Sequence, residues 1–153
     1  PDPATKTYAG AHGIELVEHF LVNTGRWFSL NGYGIFHWDK GASGDAKDKG
    51  LDFAVGGRTF LYAHKNFHMI NELTFQGRKD GDNPMGTAVK FSIVPTIVPS
   101  GKLEAWARPH FRLIYTTGFY NQAALDQKMS PYLKNVSLAR IAQYLGARVE
   151  WWF

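Results

Sequence analysis

The stretch IAQYLGARVEWWF, residues 141–153, alternates apolar and polar side chains over most of its length. Successive side chains of a β-strand point to opposite faces. A strand with lipid on one side and water on the other needs this alternation, so the stretch predicts a strand of a transmembrane β-barrel. The apolar face would carry Ile141, Leu145, Ala147, Val149, Trp151 and Phe153, and the polar face Tyr144, Arg148, Glu150 and Trp152.

The same period of two recurs upstream and predicts about seven strands. Most of them are roughly ten to thirteen residues long, whereas strands of soluble proteins average about five or six. A tilted strand needs about nine to eleven residues to cross a bilayer. The pattern therefore predicts an all-β fold, an antiparallel transmembrane β-barrel. The predicted strands are residues 14–23, 27–39, 51–62, 67–77, 87–97, 103–116 and 141–153.

The predicted connections between these strands alternate between short and long. Outer-membrane barrels have short turns on the periplasmic side and longer loops outside. This alternation predicts that the last strand ends at the periplasmic rim and that residues 1–13 end an external loop. The short connections are residues 23–26, 63–66 and 98–102, and the long ones are 40–50, 78–86 and 117–140.

Two prolines, Pro95 and Pro109, fall inside predicted strands. Proline cannot donate a ladder hydrogen bond and is found in sheets mainly at edges and bulges. We therefore expect β-bulges at both positions.

Composition excludes several other classes of protein. The chain has no Cys, which removes disulfide scaffolds and cysteine–zinc sites. No apolar run approaches the roughly 18 residues of a membrane-spanning helix. The net charge is +4, but Lys and Arg are scattered among 13 acidic residues, so nucleic-acid binding is not expected. We find no catalytic arrangement and no metal-ligand spacing, and we expect neither enzyme activity nor a cofactor.

Several stretches resemble, in order and spacing, the C-terminal part of the maltoporin (LamB-type) family of sugar-specific outer-membrane porins. The closest are WARPHFR at residues 106–112 and GARVEWWF at residues 146–153, followed by VGGR at 55–58 and Glu18-His19. The collinear series spans nearly the whole chain apart from the first residues and the 117–140 segment.

The resemblance implies the C-terminal portion of an eighteen-stranded barrel in the bacterial outer membrane. Its implied partners are the lipid bilayer, the remaining N-terminal strands of the same barrel, two further copies in a homotrimer, and an oligosaccharide ligand. The implied activity is facilitated diffusion of sugars, namely maltose and maltodextrins, along an aromatic track in the lumen.

By the motif matches, two residues of that track correspond to Trp106 and Trp152. Both also fall on the polar face of their predicted strands, where the apolar face of a pyranose ring can stack on an indole. Arginine donors on the same face suit sugar hydroxyls. Trp151, one position before Trp152, is predicted to face lipid or a neighbouring subunit. The candidate sugar-binding residues are Trp106, Trp152, Arg108, Arg112, Tyr144 and Tyr33.

Three alternatives stay open at this point. A general diffusion porin without a sugar track would show no saturable block of its ion current by maltooligosaccharides. A barrel that acts only through its loops would concentrate function in residues 117–140. A soluble β-sandwich binding module is also built from alternating strands.

Overall fold

The computed structural model describes residues 4, 6–43, 45–130 and 139–151. The predicted all-β, antiparallel fold with about seven strands is confirmed. The strands are β1 (His12–Asn23), β2 (Phe28–Lys40), β3 (Lys49–His64), β4 (Phe67–Asp80), β5 (Gly86–Ile97), β6 (His110–Tyr120) and β7 (Ile141–Glu150).

All seven strands form one sheet in chain order, and each strand pairs antiparallel with the next. Within the described residues β1 and β7 are the two edges, so the sheet is open. This is the arrangement that part of a porin wall has.

One face of the sheet is apolar and exposed, and we call it the outer face. Leu145 in β7 is 70% exposed, and every strand carries large apolar side chains that are exposed. A monomeric soluble protein rarely exposes so large an apolar surface, whereas a wall that faces lipid requires one. Representative outer-face residues are Phe20, Val55, Leu73, Phe91, Leu113 and Val149.

The opposite, inner face carries most of the polar side chains. It also settles the phase of β1, which the sequence leaves unclear. His19 lies opposite Tyr33 in β2, and its Nε2 is 2.6 Å from Nδ2 of Asn31. His19 therefore lies on the inner face, and Glu18 on the outer face.

At one end of the sheet, the turn end, the chain connects β1 to β2, β3 to β4 and β5 to β6. The third of these connections, residues 98–109, folds onto the inner face. Val98, Ala105 and Ala107 within it are buried, and Ala105 joins a cluster of buried side chains. The other members of that cluster are Phe60, Tyr62, Ile70 and Val94.

This connection corrects two predictions. The strand predicted at residues 103–116 begins only at His110, because Pro109 has no N–H for the ladder and the preceding alanines are buried against the inner face. The strict alternation of short and long connections also fails. Residues 98–109 link β5 to β6 at the turn end, while only residues 81–85 link β4 to β5 at the opposite, loop end.

The two prolines do not mark bulges as expected. Pro95 pairs with Met69 in β4 but interrupts the ladder to β6, without shifting the register on either side. Pro109 precedes β6. The irregularity in register lies instead between Leu61 and His64 in β3.

At the loop end, helix α1 (Gln122–Asp126) begins the connection between β6 and β7. Its N-cap Asn121 accepts hydrogen bonds from the backbone N–H of Ala124 at 2.8 Å and of Thr87 at 3.0 Å. Leu125 is buried against Ala88 and Tyr120, so α1 is fixed over the inner face. No helix in the described part of the chain is long and apolar enough to cross a membrane.

Candidate functional site

Trp106 lies in the inward-folded connection and not in β6. Its side chain is 57% exposed although its neighbours Ala105 and Ala107 are buried. Its indole borders a recess on the inner face at the turn end. The recess is also lined by His19, Asn31, Arg58, Phe60, Arg108 and Arg112. An exposed indole beside several hydrogen-bond donors can stack on a sugar ring whose hydroxyls bind those donors.

Three arginines converge on one carboxylate, and we call Arg108, Arg112, Arg148 and Glu150 the Glu150 cluster. Nη2 of Arg108 lies 2.8 Å from Oε2 of Glu150, and Nη2 of Arg112 lies 2.7 Å from the same oxygen. Nη2 of Arg148 lies 3.7 Å from Oε1. The first two arginines are 8% and 12% exposed and the carboxylate 18%, so these ion pairs are mostly shielded from water.

Arg108 also holds the connection that carries Trp106. Its Nη1 donates to the carbonyl oxygens of Ala105 at 3.2 Å and Ala107 at 2.8 Å. Burial lowers the pKa of Arg108, and the adjacent Glu150 opposes that change. Arg108 therefore joins the connection to β7 and positions Trp106, with little capacity left for a ligand.

A second ion pair lies deeper on the inner face. Nε and Nη2 of Arg58 donate to Oε2 of Glu72 at 2.7 and 2.5 Å, directly across the β3–β4 ladder. Arg112 and Arg148 line a second recess together with this pair. It adjoins the Trp106 recess, because Arg58 and Arg112 line both. The second recess therefore brings together guanidinium groups from β3, β6 and β7.

The two candidate tyrosines both lie on the inner face. The hydroxyl of Tyr33 is 3.0 Å from Oγ1 of Thr74, and its ring covers Gly56, where a Cβ would lie 2.6 Å from the ring. Tyr144 is about half exposed, and its hydroxyl covers Gly146 in the same way. In both cases glycine lets an aromatic ring lie close to the barrel wall.

Trp152 lies outside the described residues. The adjacent Trp151 is described and is exposed. The structure therefore places Trp106, Arg108 and Arg112 around one recess, and it places Tyr33 and Tyr144 elsewhere on the same face.

Sequence reasoning missed a buried polar group under the 98–109 connection. The hydroxyl of Tyr62 lies 2.5 Å from Oγ of Ser29, and the ring of His68 packs 4.8 Å from that of Tyr62. His68 is fully buried. The alternation in the sequence put Ser29, Tyr62 and His68 on the polar faces of their strands. Nothing in the sequence indicated that the 98–109 connection would cover them.

We expect His68→Leu to leave stability unchanged or raise it by about 1 kcal/mol. Neither ring nitrogen of His68 has a hydrogen-bond partner among the described residues, and a buried polar atom without a partner costs about 1–3 kcal/mol. Leucine removes that cost and keeps most of the volume. Urea unfolding followed by tryptophan fluorescence measures the change. A loss above about 2 kcal/mol would show that the imidazole has a polar role.

In the described residues no three His, Cys, Asp or Glu side chains are grouped so that they could hold a metal ion. A protein-family model described as LamB porin matches residues 1–153, the whole chain. No curated protein matches the sequence significantly.

Proposed function

Because the chain belongs to the LamB porin family, we propose that its inner face lines a channel for maltose and maltodextrins. Members of this family are channels for sugars in the bacterial outer membrane and are not enzymes. The exposed apolar outer face and the polar inner face agree with a barrel wall that separates lipid from a water-filled lumen.

The observation that carries the proposal is the exposure of Trp106 beside clustered donors. A solvent-exposed indole on the polar side of a barrel wall has no role in packing against lipid. Stacking on a pyranose ring uses its apolar surface, while nearby guanidinium groups satisfy the sugar hydroxyls. Such contacts are individually weak, so a sugar can bind and move on, as conduction requires.

The other candidate residues take distinct parts in this proposal. Arg112 borders the recess beside Trp106 and donates to the sugar, while Arg108 positions the indole. Tyr144 extends the aromatic surface toward the loop end. The hydroxyl of Tyr33 is bonded to Thr74, so its ring offers a contact surface. We expect Trp152 to add a second indole at the turn end.

We also propose that the assembled channel is a homotrimer. Within one subunit, we propose that further strands of the same barrel pair with the open edges of β1 and β7 in the described sheet. A trimer is typical of the family.

We expect Trp106→Ala to weaken sugar binding roughly threefold to tenfold, since an aromatic contact contributes about 0.5–1.5 kcal/mol and 1.4 kcal/mol is tenfold. The measurement is the maltotriose concentration that halves the ion current through the purified channel in a planar bilayer. The same titration on Trp152→Ala tests the second indole.

Trp27→Ala is the matched control. Trp27 is 79% exposed and lies in the β1–β2 turn at the same end of the sheet, so its loss should leave the titration unchanged. If maltotriose blocks Trp106→Ala and Trp152→Ala as well as it blocks the unmodified channel, the two indoles do not form a sugar-binding track. Absence of any saturable block in the unmodified channel would favour a general diffusion porin.

A further inference from the structure

The inner face at the turn end carries more positive than negative charge. Four arginines lie near two carboxylates there. Since both carboxylates are already engaged by arginines, the surplus charge faces the lumen. The arginines are Arg58, Arg108, Arg112 and Arg148, and the carboxylates are Glu72 and Glu150.

Arg148 is the member of this group with the most capacity for a ligand. Its side chain is 62% exposed, and its closest approach to Glu150 is 3.7 Å, beyond hydrogen-bonding distance. Among the described residues it makes no hydrogen bond. Its guanidinium therefore has donors available on the lumen side, next to the recess that Arg58 and Arg112 also line.

The inner-face carboxylates at the loop end lie too far away to neutralise this charge. Asp52 lies six positions before Arg58 along β3, about 20 Å at roughly 3.3 Å per residue. That exceeds the Debye length of about 8 Å at physiological ionic strength. Arg78, 3.0 Å from Asp80 and 3.8 Å from Asp52, already pairs with the carboxylates at the loop end.

We propose that the two adjoining recesses at the turn end bind anionic saccharides more tightly than neutral maltodextrins, a conclusion that rests on the proposed sugar-channel function. A planar guanidinium binds a carboxylate through two parallel hydrogen bonds, and rings of Arg or Lys select anions in other pores. Trp106 stacks on a sugar ring while the exposed guanidinium of Arg148 binds an acidic group of the saccharide. A pyranose oligomer that carries carboxylates, such as an oligouronate, can contact Trp106 in one recess and Arg148 in the other.

The test compares two trisaccharides of the same linkage type, maltotriose and α-1,4-linked trigalacturonate, as blockers of the purified channel in planar bilayers. We expect trigalacturonate to block at the lower concentration. Arg148→Gln should reduce the ratio of the two blocking concentrations roughly fivefold, the scale of a partly exposed ion pair. Raising the salt concentration should also reduce the ratio in the unmodified channel.

Lys79→Gln is the matched control, because it removes the same charge from the outer-face side of β4 and should leave the ratio unchanged. Block by maltotriose without preference for trigalacturonate would overturn this inference and leave the sugar channel standing. A preference that persists in Arg148→Gln would also overturn it. Absence of block by either trisaccharide would overturn both proposals.

Discussion

Replacing Glu150 by Gln is expected to lower the free energy of unfolding by about 3–5 kcal/mol, the cost of removing one partner from a buried ion pair. Oε2 of the carboxylate forms ion pairs with Arg108 and Arg112 at 2.8 and 2.7 Å, and Oε1 lies 3.7 Å from Arg148. The neutral amide keeps the shape of the side chain but leaves three guanidinium groups together without a counter-charge. The loss should also loosen the 98–109 connection, because Arg108 holds it to β7.

Urea unfolding of the protein in lipid vesicles, followed by tryptophan fluorescence, measures this loss. Glu104→Gln is the control, because its carboxylate is 52% exposed and lies 3.9 Å from Lys102. Exposed pairs contribute about 0–1 kcal/mol, so this variant should unfold like the unmodified protein. The double variant Arg148→Gln/Glu150→Gln should recover part of the loss by reducing the repulsion. If Glu150→Gln and Glu104→Gln lower the free energy of unfolding by similarly small amounts, water reaches the Glu150 cluster.

Replacing Phe60 by Ala is expected to cost a similar amount, about 3–5 kcal/mol. Phe60 is buried on the inner face, where it packs in the cluster that receives Ala105 of the connection. Truncation leaves a cavity beneath the connection and removes the surface on which it rests. Because Phe60 also borders the Trp106 recess, this variant should weaken sugar block in addition to stability.

Phe60→Leu separates these two effects, since it retains most of the apolar volume and should cost less than about 1.5 kcal/mol. The measurements are urea unfolding and block of the ion current by maltotriose. If the connection rests on Phe60, the Ala variant loses block and the Leu variant keeps it. If maltotriose blocks Phe60→Ala and Phe60→Leu equally well, the position of Trp106 does not depend on the buried cluster around Phe60.

The strands and their faces could be predicted because lipid and water impose a period of two on every strand. The alternation in residues 141–153 placed Arg148 and Glu150 on the polar face, and the structure has them on the inner face with Arg112. β1 was harder, because Glu15, Glu18 and His19 put charged or polar groups on both faces. Its phase follows from pairing with β2, which the sequence does not reveal.

The 98–109 connection could not be predicted, because its path depends on contacts with residues far away in sequence. Extending the alternation of β6 back through Pro109 predicted a strand at residues 103–109, where the structure has none. The missed physical signals were that a proline cannot continue a ladder and that small apolar residues at Ala105 and Ala107 fit beneath a turn. The Glu150 cluster likewise required the register that places His110 opposite Glu150 and Arg112 opposite Arg148.

The inward path of this connection has a consequence for protein engineering. It joins two adjacent strands whose register continues unchanged from Ile93 through Thr96, so its exposed positions can vary while the strand pairing stays in register. The width and chemistry of the passage at this end can therefore be redesigned at the exposed positions of the connection, such as Trp106, without changing the number of strands. A nanopore sensor for carbohydrates could be tuned there, one residue at a time.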